Sequence, residues 1–104
     1  MTEPERGFID IDEGQLMVRA AGPEASGTPL IMLSVAPGTS LGLVPLMDHL
    51  ATNRPVYAID LPGTGESVAP PHTGDEEPPL PVFADMLLRG ATALGLDRFD
   101  LYGN

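Results

Sequence analysis

Apolar residues fall into short runs along this chain, separated by glycine, proline and acidic residues, and the spacing inside each run predicts an element. Phe8, Ile9 and Ile11, then Leu16, Met17 and Val18, flank the turn signal Asp12-Glu13-Gly14. That arrangement predicts a β-hairpin over residues 7–20. Residues 1–6 are polar and are expected to form a flexible terminus. Residues 22–29 hold Gly, Pro, Ser and Thr and read as a loop. The near-continuous apolar stretch Leu30–Ala36 predicts a strand buried on both faces, the habit of parallel sheets. Leu43, Leu46, Met47 and Leu50 recur at steps of three and four, which predicts a helix with one apolar face. Pro45 lacks an N–H and fits only a first helical turn. The helix is therefore expected to start between 41 and 44, capped by Thr39 or Ser40 and stopped near Asn53.

The second half of the chain repeats the alternation. Pro55–Asp60 predicts another buried strand, ending in Leu61-Pro62-Gly63-Thr64-Gly65-Glu66-Ser67. Residues 68–81 carry prolines at 70, 71, 78, 79 and 81 and the acidic run Asp75-Glu76-Glu77, an irregular solvated excursion. Pro81 suits the first position of a second helix. Phe83, Ala84, Leu87, Leu88, Ala91 and Leu94 form its predicted apolar stripe, Asp85 and Arg89 pair across one turn, and Gly95 ends it. Phe99–Tyr102 predicts a further buried strand. A hairpin followed by β-α-β-α-β implies an α/β fold of five strands and two helices, with right-handed crossovers in its parallel part. A flavodoxin-like or nucleotide-binding domain is the fold alternative. The opening hairpin counts against it, as does the lack of a Gly-rich loop after the first parallel strand.

Composition narrows the function classes. The chain has 104 residues, room for one domain. Twelve Gly and twelve Pro favour long turns, yet apolar residues clustered into runs are a folded chain's pattern. With no cysteine there is no disulfide framework, thiolate metal site or cysteine nucleophile. Five arginines, no lysine and fifteen acidic residues give a formal charge of −10. That balance argues against nucleic acid, whose affinity comes largely from cations on phosphates, and against anionic membrane surfaces. No apolar run approaches the ~20 residues that span a bilayer. No basic region precedes an apolar stretch as in a secretory signal, so a cytoplasmic location is expected.

Few side chains offer chemistry on their own. Gly63-Thr64-Gly65 lacks the Lys-Ser/Thr of a phosphate loop and the third glycine of a dinucleotide fingerprint, so turn chemistry is the preferred reading. His49 reads as a surface histidine off the helix stripe, and His72 as a loop residue. Two histidines without cysteine partners give no zinc spacing. Ser34 has no base nearby in sequence. Ser67 is expected to close the turn after Asp60 through its side chain. No cofactor and no metal site are expected.

Three segments in register carry a resemblance. They are Leu30–Ala36 running into Pro37-Gly38-Thr39-Ser40, then Asp60-Leu61-Pro62-Gly63-Thr64-Gly65-Glu66-Ser67, then Leu94-Gly95-Leu96 leading through Phe99–Tyr102 to Gly103-Asn104. Together they resemble the N-terminal half of an α/β-hydrolase. That family shows an apolar strand into His-Gly-x-Pro-Gly, then Asp-x-x-Gly-x-Gly-x-Ser after the next strand. A helix then leads to an apolar strand entering the nucleophile elbow. The match at Asp60, Gly63, Gly65 and Ser67 is complete, and the resemblance spans residues 7–104. Ser34 and Val35 stand where the family usually has His and Gly.

The resemblance implies an incomplete α/β-hydrolase sheet, with residues 7–104 as a partial domain and 68–81 as its Pro-rich acidic loop. Gly103 matches the first glycine of the elbow pattern Gly-x-nucleophile-x-Gly and Asn104 the x, so the nucleophile is expected beyond residue 104. The family's acid and histidine follow the nucleophile, which leaves His49, His72 and Asp60 outside the triad. The backbone N–H of Ala36, ahead of Pro37 and Gly38, is the implied oxyanion-hole donor. An ordinary strand-to-helix turn is the alternative there. The expected function is therefore the N-terminal portion of a hydrolase of an ester-like or related bond, inactive alone. Its partner is the C-terminal remainder of the domain, in the same or a separate chain, and the complete protein takes a small-molecule substrate. The alternatives are a non-catalytic binding module completed by a partner chain, and one chain of a two-chain hydrolase.

Overall fold

The computed structural model describes residues 5–22, 25–33, 40–69 and 80–103. Strand β1 (Glu5–Ile11) pairs antiparallel with β2 (Gly14–Ala21), with Phe8 opposite Met17. The hairpin starts two residues earlier than expected. Glu5 and Arg6, assigned to a flexible terminus, lie opposite Ala20 and Arg19. Polarity misled there because β1 is an edge strand, whose ladder needs only backbone groups and whose side chains can be charged.

The remaining strands are β3 (Leu30–Leu33), β4 (Val56–Ile59) and β5 (Asp100–Tyr102), and the sheet order is β1-β2-β4-β3-β5. β3 runs parallel to β4 and to β5, while β2 meets β4 antiparallel, so the sheet is mixed. The expected strand Leu30–Ala36 is described only as far as Leu33, and residues 34–39 lie outside the described set.

A 3₁₀ turn (Ser40–Leu43) leads into helix α1 (Val44–Leu50), with Pro45 in the first turn, where its missing N–H costs nothing. Leu43, not Ser40, occupies the cap position of α1 and makes no side-chain cap; Ser40 starts the 3₁₀ segment, and Thr39 lies outside the described residues. The Ala51 N–H closes the other end on the Met47 carbonyl, two residues before Asn53. Helix α2 (Leu80–Ala93) has Pro81 in its first turn. Its end is a Schellman closure: Leu96 N–H donates to Ala91 O and Gly95 N–H to Thr92 O, with Gly95 at φ +81°.

The two helices cover opposite faces. On one, Met47 packs with Ala21, Leu30, Met32, Val56 and Ala58, flanked by Leu50. On the other, Ala91 of α2 joins Ile9, Leu16, Val18, Ile31 and Ile59, with Leu87 and Leu94 beside them. Alternation along β3 and β4 sends successive side chains to these two cores. Right-handed crossovers require this split, because β3→β4 steps toward β2 and β4→β5 steps back past β3.

Two predicted stripes are re-phased. On α1, Met47 is fully buried but Leu46 is 38% exposed. On α2 the buried positions are Met86, Gly90 and Ala91, whereas Ala84 is exposed and Leu88 is 58% exposed. Gly90 is the point of closest approach: a Cβ there would stand 2.9 Å from Leu16 Cδ1. A side chain there would force Leu16 to shift, so the helix packs closely on Leu16 of β2 and Ile9 of β1. Ala84 and Leu88 face instead a groove of about 280 Å³ between α2 and the sheet, completed by Ile31, Leu33, Leu87, Phe99 and Leu101. Among the described residues β5 ends the sheet with a free edge, and Leu101 is 62% exposed.

Candidate functional site

The motif residues that the structure describes gather at the carboxyl end of β4. Ile59 is the strand's last residue, and Asp60, 1% exposed, begins the turn. The Asp60 N–H donates to Met17 O on β2 at 3.0 Å. The Ser67 hydroxyl donates to Asp60 O at 2.7 Å and accepts the Met17 N–H at 2.9 Å. One buried oxygen thus ties the two ends of the turn together and both to β2. The Asp60 carboxylate accepts the Glu66 N–H at 3.2 Å. Val68 N–H then donates to Gln15 O, which continues the seam along β2.

Glycine is required inside this turn. Gly63 has φ +84° and Gly65 φ +53°, the left-handed region that other residues rarely enter. Most of the turn's amides are spent within it: Gly63 N–H donates to Val68 O, Thr64 N–H to Leu61 O and Ser67 N–H to Thr64 O. A phosphate cradle needs such amides aimed at solvent together, so this Gly-Thr-Gly segment is a structural turn. The Glu66 side chain pairs with Arg6 of β1.

Other sequence-predicted residues fall elsewhere. Gly103 directly follows β5 at the same end of the parallel strands and is exposed. Ala36, Pro37, Gly38 and Asn104 lie outside the described residues, as do Ser34, His72 and Asp75-Glu76-Glu77. His49 is exposed on α1, apart from the turn after β4. No described histidine therefore meets Asp60 or Ser67.

Two arginine clusters went unread in the sequence because their partners are remote. Arg89 of α2 holds Glu13 of the hairpin turn through two 2.6 Å bonds, besides the expected Asp85 at 3.0 Å. The hydrogen bonds to Arg89 hold the Glu13 carboxyl below its ordinary value, and Glu13 in turn raises Arg89. Arg54 donates to Thr28 O at 2.8 Å and to Asp100 Oδ2 at 2.6 Å, fastening the amino ends of β3 and β5. Both guanidinium groups are engaged by the protein's own acceptors.

A mixed sheet in this order, helices on opposite faces and an Asp-x-x-Gly-x-Gly-x-Ser turn after β4 define an α/β-hydrolase frame. The chain belongs to that superfamily and carries the N-terminal part of its fold. It is 42% identical over 78 residues to 1-acylglycerol-3-phosphate O-acyltransferase ABHD5 of Homo sapiens, covering 74% of this chain and 22% of that protein. It is 33% identical over 98 residues to a proline iminopeptidase of Heyndrickxia coagulans, covering 94% and 33%. A Pseudomonas aeruginosa protein assigned as an epoxide hydrolase superposes on 97% of this chain with TM-score 0.80 at 28% identity, over 33% of its own length. The chain thus spans a third or less of the relatives it matches. No protein-family model matches it. Among the described residues, no helix is long and apolar enough to cross a membrane.

Proposed function

We propose that this chain is the scaffolding N-terminal portion of a hydrolase of an ester-like or related bond, and that residues 1–104 turn over no substrate by themselves. Nucleophilic catalysis needs a nucleophile, a base oriented by an acid, and an oxyanion site. The observation that carries the reading is the commitment of the turn after β4. Ser67 and Asp60, the buried polar side chains at the strand ends, hydrogen-bond the backbone on either side of them. They support a joint and not a reaction. In this reading the triad comes from sequence following Asn104, and Ala36 contributes a backbone N–H to the oxyanion hole.

The partner proposed is the remainder of the hydrolase domain. The free β5 edge and the apolar groove beside α2 favour it, since both leave sheet surface uncovered. Two measurements test the reading. Purified residues 1–104 are expected to hydrolyse a simple aryl ester no faster than a heat-denatured control. Turnover above that control would sink the proposal. The intact mass of the polypeptide in its source cells is expected to exceed that of 104 residues, with peptides continuing through nucleophile-x-Gly. A native product ending at Asn104 and isolated with a stoichiometric partner unrelated to hydrolases would replace the proposal with a non-catalytic module.

A further inference from the structure

We draw no further inference here: the strongest candidate, the apolar groove between α2 and the free edge of β5, belongs to the face assigned above to the remainder of the domain, and nothing in the structure shows what else covers it.

Discussion

Arg89 and Glu13 meet fork to fork: Nη1 and Nη2 of the guanidinium each donate to a separate carboxylate oxygen at 2.6 Å. The pair joins α2 to the hairpin turn, and Asp12 stands 3.8 Å from the same guanidinium. Bidentate geometry distinguishes it from the single-point surface pairs that contribute little.

Stability is expected to depend on pH through this pair. The folded-state pKa of Glu13 is depressed, chiefly by the hydrogen bonds from Arg89. A depressed carboxyl contributes stability above its unfolded value, about 4.3 for glutamate, and loses it as pH falls through the folded value. The urea midpoint of the parent chain is expected to fall more steeply than that of Glu13→Gln as pH drops from 6 toward 3, and the two midpoints to converge at the acid end. Parallel curves would contradict a stabilising role for the pair.

Removing the Ser67 hydroxyl leaves the Met17 N–H and the Asp60 carbonyl without that partner in a buried seam. Stranded buried polar groups cost about 1–3 kcal/mol each. With two groups stranded, Ser67→Ala is expected to lower unfolding free energy by about 2–6 kcal/mol in urea titration. A loss within error of zero would mean that water replaces the hydroxyl.

Gly90→Ala sets two effects against each other. Alanine favours the helix by about 1 kcal/mol. The new methyl lands 2.9 Å from the buried Leu16 Cδ1, and overpacking costs about 1–3 kcal/mol. The expected net result is destabilisation by about 1 kcal/mol, because Leu16 is fully buried and must shift within the core. Leu16→Val withdraws the δ-carbons, so Gly90→Ala in that background is expected to be neutral or stabilising. A double-mutant cycle reads this coupling directly.

Leu88 and Leu101 line the open groove and are largely exposed. Replacing them by Leu88→Glu and Leu101→Lys should leave the unfolding free energy within about 0.5 kcal/mol. The double variant is expected to associate less than the parent in sedimentation velocity over a tenfold concentration range, since a lysine at a free strand edge opposes edge-to-edge pairing. Equal association would place the sticky surface elsewhere.

The frame was largely legible because it is written in local signals. Apolar runs marked β3 and β4, Asp12-Glu13-Gly14 marked the hairpin turn, and Asp-x-x-Gly-x-Gly-x-Ser marked the turn closed by Ser67. What escaped depends on neighbours distant in sequence. The stripe read on α2 merged two surfaces, one against the sheet and one against the groove, and so counted Leu88 as core. Gly90 carries no hydrophobic signal, yet its missing side chain sets how closely α2 approaches Leu16. No local signal joins Arg54 to Asp100 or Arg89 to Glu13, because these partners meet only in the fold.

The inward commitment of Asp60 and Ser67 has a consequence for how variation here would register in a cell. A change in this joint alters the fraction of molecules that stay folded, and a loss of 1–2 kcal/mol can change abundance several-fold. Variants between Asp60 and Ser67 should therefore surface as altered protein levels.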